Sequence, residues 1–494
     1  MDEFNIPENW TITKLKNLPL LSRGQLSSNK DSDNECCLVE MEDIEKDSGK
    51  ITFDREIPEK MSSKNIFRVG DVLYGKLRPY LNKCGVAEVN GVCSSEIYVV
   101  DPVAMDSKFL AYYLRSPSFL NYASTQTHGA RMPRLSRGLF QDAKFPVPPK
   151  GEQERIVQKI ETCFDKIEET ESNLKEVESL LEKYRESLLA KAFRGELKSQ
   201  DSKDEPASVL LEKIREEQEK ADSGKKKKSK GFAPIEDDEK PFETPESWKW
   251  VRLGEIAGKV TDGAHHTPKP VSEGFPYILA KQIKDEGINF DECLFLSEEE
   301  HRKIYTRANI EKGDILITNI GAGTGTATIN EADFEFSIKN VALIKVLQNF
   351  TFSKFILFYF RYFRKRIFDE FARGGAQPFI SLTLLGNIPF PLAPREEQNR
   401  IVELIEDGFI NIEKLIADNF SKMEITSKLK ESILSKAFEG LLVEQIGSEG
   451  TGQDLLEKIL ATKEVEKPVK KKKKKTAKKK VAKKTAKKKT SKKK

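Results

Sequence analysis

The sequence predicts a mixed α/β protein in which two variable globular segments alternate with two long helical ones. Three observations carry this reading: a repeat at about half the chain length, a heptad seam in the most faithfully repeated segments, and short strand-like runs with few helices in the divergent ones.

The repeat is exact in spacing where it is strongest. FPVPPKGEQERIVQKIE from Phe145 returns as FPLAPREEQNRIVELIE from Phe390, an offset of 245 residues. The same offset carries RESLLAKAFRGEL from Arg185 onto KESILSKAFEGLL from Lys430, and LLEKI from Leu210 onto Leu455. No insertion interrupts these runs, as expected where helical length must be kept. Ahead of them PENW at Pro7, with Leu15, matches PESW at Pro245, with Leu253, at an offset of 238, and GDVL at Gly70 matches GDIL at Gly313 at 243. The variable parts tolerate loop changes.

Six regions follow: a first globular domain at 1–146, a first helical region at 147–222, a Lys-rich linker at 223–240, a second globular domain at 241–391, a second helical region at 392–462 and a basic tail at 463–494. In the globular domains Trp10 with Ile12 and Trp248 with Trp250 suggest opening strands, and 69–74 and 310–320 suggest later ones. Phe109 to Leu114 and Phe355 to Phe363 are short apolar helices in matching places. The run from 352 to 363 is interrupted by Lys354 and Arg361, so it reads as a buried helix and not as a membrane span.

In the first helical region Ile160, Ile167, Leu174, Leu181 and Leu188 recur every seven residues, with Cys163, Thr170, Val177 and Tyr184 three further on. That a/d pattern predicts a coiled coil of about four heptads, in a helix roughly 70 Å long. In the second copy Ile405, Ile412, Leu415, Leu429 and Ile433 fit the seam, while Gly408, Asn419, Lys422 and Thr426 put small or polar residues on it. A polar core residue costs stability and fixes register, which is the role expected of Asn419.

Charge is divided unevenly. The formal net charge is +5, but 17 lysines and no acids lie between 470 and 494, leaving −12 for residues 1–469. The tail has no apolar period and is expected to be a disordered arm that binds polyanions without sequence preference. Any nucleic-acid contact by the body must use local basic patches. Six cysteines, with Cys36 and Cys37 adjacent and no C-x-x-C pair, point to reduced thiols in a cytoplasmic protein, and the N-terminus lacks a signal peptide.

Catalytic motifs are missing. GAGTGTA at Gly321 to Ala327 is followed by no phosphate-loop lysine and reads as a tight loop; His265 and His266 are adjacent, which does not suit two metal ligands on one helix face. No catalytic and no metal residue is therefore assigned. Residues suited to DNA are present: Lys76, Arg78, Lys83, Arg131, Arg134 and Arg137 in the first domain, and His265, His266, Asn319, Thr324, Lys339, Arg373 and Gln377 in the second. Arg and Gln hydrogen-bond base edges in pairs, whereas Lys chiefly neutralises phosphate.

The alternation of divergent and near-identical segments, the PE-x-W openings, the TDGAHHTP run from Thr261, the GDIL turn and the P-x-x-EQ-x-RIV helix starts together resemble the specificity (S) subunit of type I restriction-modification systems, from Pro7 to about Leu460. The resemblance implies two target-recognition domains, each reading half of a split, asymmetric site on double-stranded DNA, separated by an antiparallel two-helix coiled coil that docks two modification subunits. It further implies that this chain holds no cofactor. S-adenosylmethionine, ATP and Mg would serve the modification and restriction subunits, which methylate adenine and cleave foreign DNA. GKLRPYLNK after Gly75 departs from the glycine-rich loop of the second half. The alternative is a DNA-organising coiled-coil protein with a histone-like basic tail and no sequence choice.

Overall fold

The computed structural model describes residues 6–17, 25–28, 37–127, 132–222, 231–264, 268–321, 323–366 and 379–465. Residues 223–230 of the Lys-rich linker and the tail beyond 465 thus lie outside the described residues. The chain forms two compact units, residues 1–171 with 424–494, and residues 172–423. Each unit draws on both long helices, Lys150–Phe193 and Arg395–Phe438, 44 residues apiece. No described helix is long and apolar enough to cross a membrane.

Both units mount a variable module in the same way. Its first strand pairs antiparallel with its last: Thr11–Lys14 with Lys144–Val147 in one unit, Lys249–Arg252 with Pro389–Leu392 in the other. The last strand runs into Pro148-Pro149 or Ala393-Pro394, and a long helix starts at the next residue. Proline suits this place because the first helical amides have no intrahelical partner to lose. The two ends of each module are thus pinned at the root of a helix.

The expected alternation of Trp10 with Ile12 is not what forms. Trp10 sits in the preceding turn, its amide on the Pro7 carbonyl, so it is buried while Ile12 is exposed. The strand expected from Val69 begins at Val72 for a similar reason: Gly70, at φ +85°, and the Asp71 carboxylate, which accepts from the Arg68 amide, make a turn there.

That strand, Val72–Gly75, is buried on both faces. Val72 and Tyr74 enter a core shared with the Ser107–Arg115 helix and the long helices, and Leu73 enters a second core of sheet residues including Val39, Ile44 and Phe67. Ile315–Thr318 repeats the arrangement, with Ile315 and Ile317 in one core and Leu316 in the other. A strand with apolar cores on both sides reads as a continuous hydrophobic run, which is how GDVL and GDIL read.

The long helices pair antiparallel. In the first unit Ile160 and Ile167 share a core with Ile433 and Leu434, and Glu171 accepts from Thr426 Oγ1 at 3.1 Å and Lys430 Nζ at 2.9 Å. In the second, Asn419 Nδ2 donates to the Leu174 carbonyl at 2.9 Å, and the Arg185 guanidinium lies over the Phe409 ring. Gly408 faces Leu188, whose side chain a Cβ would overlap, so the glycine is the hole that receives the leucine. Ile160, Ile167, Leu181, Leu188, Ile405, Ile412 and Ile433 are buried, Leu174 is half-buried, and Leu429, Val177, Tyr184 and Leu415 lie exposed at the edge of the seam. Two helices alone cannot cover every d position.

Candidate nucleic-acid interface and its mounting

In the first module the strand Val72–Gly75 leads straight into Lys76, and residues 132–135 fold back over it. Arg78 donates its amide to the Pro133 carbonyl at 2.7 Å, the Leu135 amide donates to the Lys76 carbonyl at 3.0 Å, and Leu77 pairs with Arg134. Lys76, Arg78 and Arg134, separated by up to 58 residues in sequence, are thereby brought to one place. Arg78 adopts φ +52° and is exposed. Arg134 is held by Glu96 at 3.0 Å, and the Lys76 ammonium lies 5.5 Å from the Tyr98 ring centroid. Arg137 starts the Arg137–Asp142 helix, exposed beside this group.

Lys83 is not of this group. Its ammonium turns inward and donates to the Met41 carbonyl at 2.7 Å, because the Gly75 amide bonded to the Lys83 carbonyl sets the residue against the sheet. Arg131 lies outside the described residues.

The second module repeats the fold-back with different residues. The Ile380 amide donates to the Asn319 carbonyl at 2.9 Å, and Ile320 pairs with Phe379, as Leu77 does with Arg134. Asn319 is 6% exposed and its Oδ1 has no hydrogen-bond partner. Thr324 is buried inside the glycine loop, donating to the Gly321 carbonyl at 2.6 Å, while the Gly325 amide returns to the Thr318 carbonyl at 2.8 Å. Gly321 and Gly325 have φ of +97° and +87°, so the glycines make a tight hairpin. Lys339 ends its strand, half-buried, and pairs with Ala264. His265, His266, Arg373 and Gln377 lie outside the described residues.

Tyr80, Met132, Ile320 and Phe379, large apolar side chains that no sequence motif marks, are exposed around the two fold-backs. Apolar groups beside arginines suit stacking and thymine-methyl contact. Arg364, likewise outside any motif, donates to Thr326 Oγ1 at 2.7 Å at the foot of the glycine loop. Among the described residues no group of three or more His, Cys, Asp or Glu is placed to hold a metal ion.

Beneath the modules the EQ-x-R motif explains its own residues. Glu152 accepts from Trp10 Nε1 at 2.9 Å and Gln445 Nε2 at 2.8 Å; Glu397 accepts from Trp248 Nε1 at 2.9 Å and from Gln200. Burial pushes the Glu397 carboxyl up, against the pull of those donors. Gln153 and Gln398 each accept a module amide, from Asp106 and Phe352, at 3.1 Å. Arg155 pairs with Glu449 at 2.7 Å, and Arg400 pairs with Asp204 in the equivalent place. Residues 440–452, downstream of the second long helix, therefore close the first unit, as residues 195–207 close the second.

The sequence model of the type I restriction modification DNA specificity domain matches this chain twice, at residues 7–179 and 245–419. The EcoAI specificity subunit of Escherichia coli is 26% identical over 471 residues, covering 83% of this chain and 79% of that protein. The EcoDI specificity subunit of Escherichia coli is 31% identical over 236 residues, covering 46% and 52%. Among solved structures, the HsdS subunit from Thermoanaerobacter tengcongensis has a TM-score of 0.55 at 20% identity, covering 88% of this chain and 98% of that one. A chain from a structure of complex assembly and conformational transition of the type I R-M system reaches 0.60 at 20% identity, over 88% and 99%.

Proposed function

Because the chain belongs to the type I restriction modification DNA specificity family, we propose that it selects the DNA site for a methylating and cleaving complex and performs no chemistry itself. The observation that carries this reading is that one mounting recurs in both units and presents different residues at the same fold-back, Lys76, Leu77 and Arg78 in one and Ile320 and Phe379 in the other. Equivalent supports with unlike reading surfaces suit a site of two unlike halves. The duplicated mounts also suit two copies of one modification subunit, since repetition within a chain offers a partner two equivalent surfaces.

Arginine supplies paired hydrogen bonds to guanine edges, and the exposed apolar side chains supply contact to methyl groups and base faces. S-adenosylmethionine, ATP and Mg belong to the partner subunits. The test is to express this chain with its modification subunits and map methylated adenines. One asymmetric motif split by unread base pairs is the expected result; methylation by the purified chain alone, or an unsplit motif, overturns the reading.

A further inference from the structure

Each unit contains an arginine in corresponding surroundings, buried in the first and half-buried in the second. Arg115, the last residue of its helix, is 8% exposed, lies over the Tyr112 ring at 5.3 Å from the centroid and donates from Nη2 to the Asp47 carbonyl at 3.0 Å. Tyr112 in turn meets Phe164 of the first long helix edge to face, at 5.8 Å and 90°. In the other unit Arg361 lies over Phe358 at 5.8 Å and donates from Nη2 to the Asp285 carbonyl, and Phe358 meets Phe409 of the second long helix at 5.7 Å and 82°.

Asp47 and Asp285 occupy equivalent turns, Lys-Asp-Ser-Gly and Lys-Asp-Glu-Gly, at an offset of 238; the arginines are 246 apart and the phenylalanines 245. Three segments with different insertion histories thus meet in the same order twice. In each case the Nε has no partner, and burial pushes the guanidinium below its usual range. Such an arrangement costs stability, and an apolar residue would cost less. Gly49, at φ +82°, makes room for it, since a Cβ there would overlap the Arg115 guanidinium. A planar guanidinium lies flat on a ring while its fork reaches the carbonyl, a geometry that the single ammonium of lysine does not reproduce.

We infer that Arg115 and Arg361 are positioning residues that lock the Asp47 and Asp285 turns of the reading modules, through an aromatic pair, each to its own long helix, and that they set how strictly the two half-sites must be spaced without reading any base. The turn belongs to the sheet core side of the module and the phenylalanine to the helix, so the arginine is the piece that joins them. The inference rests on the proposed function.

The test uses the complete methylating complex and duplexes carrying the motif mapped for the wild type, with its spacer unchanged, lengthened or shortened by one base pair. Arg115→Lys and Arg361→Lys should raise methylation of the misspaced duplexes relative to the native one by about tenfold, the worth of one hydrogen bond to a charged group, while the half-site bases stay the same. General destabilisation would lower all three alike. Gly49→Ala, which displaces the guanidinium and keeps its charge, should act as Arg115→Lys does. Should a lysine variant fail to fold, Phe164→Leu and Phe409→Leu keep the arginines and give the same readout. Strict spacing in these variants, or a changed base preference, overturns the inference alone. A wild-type complex that methylates no split motif overturns the proposed function and this inference with it.

Discussion

Asn419 hands its side-chain amide to the main-chain carbonyl of Leu174, at a position where the heptad pattern would seat an apolar residue. The bond is met only when residue 419 stands opposite residue 174, so it marks one alignment of the helices out of several that the apolar residues allow.

Asn419→Leu should therefore raise thermal stability, by about 1 kcal/mol, while admitting a second register. Thermal unfolding reads the first effect. Disulfide trapping between cysteines placed on the two helices reads the second, as more than one crosslinked product.

Glu397 answers differently to two substitutions. Glu397→Leu leaves the Trp248 indole N–H without its acceptor and should cost about 1–3 kcal/mol in urea unfolding. Glu397→Gln keeps an acceptor and removes a carboxyl whose folded pKa burial has raised. A raised carboxyl pKa means the folded state holds the proton more tightly, so this group takes stability away as pH rises above the usual glutamate range. The glutamine variant should thus be at least as stable as the wild type at neutral pH.

His301 is buried, stacked on Phe275 with centroids 4.0 Å apart, and its Nδ1 lies 3.0 Å from Ser337 Oγ. Burial pushes its pKa below the ordinary histidine value, against Glu335 at 3.3 Å, which pulls it up. The unfolded chain takes the proton first as pH falls, so the second unit should lose stability from about pH 6.5 downward, levelling once the folded histidine titrates. Unfolding midpoints across that range check this, and His301→Gln should flatten the curve.

Deleting residues 470–494 should weaken binding to any duplex and reduce the dependence of affinity on salt, leaving the methylated motif unchanged. Loss of the motif would favour the DNA-organising alternative. Arg78→Ala, by contrast, should alter the motif in one half-site and leave the other as it was, read by methylome mapping.

The repeat and the seam were legible because a helix that must keep its length cannot hide an insertion. Gly408 looked like a flaw in the seam and is the socket for Leu188, which only the facing helix reveals. Lys83 looked like its neighbours Lys76 and Arg78, yet a backbone bond to Gly75 turns it inward. The LLEKI repeat at Leu455 was plain, but that Leu455 joins the core of Trp10 depends on contacts across some 440 residues, which no local pattern carries. The arginine locks left a trace that could have been found: Lys-Asp-x-Gly recurs at the same offset as PENW and PESW.

The closure of the first unit by residues 424–465 has a consequence for synthesis. Residues 172–423 hold everything the second unit needs, so it can fold while the ribosome is still at work. The first unit, although begun earlier, must wait with Trp10 and its neighbours uncovered until the last helix emerges. The half of the protein that is translated first is finished last, and a chain stopped short of that helix would carry one completed module and one left ajar.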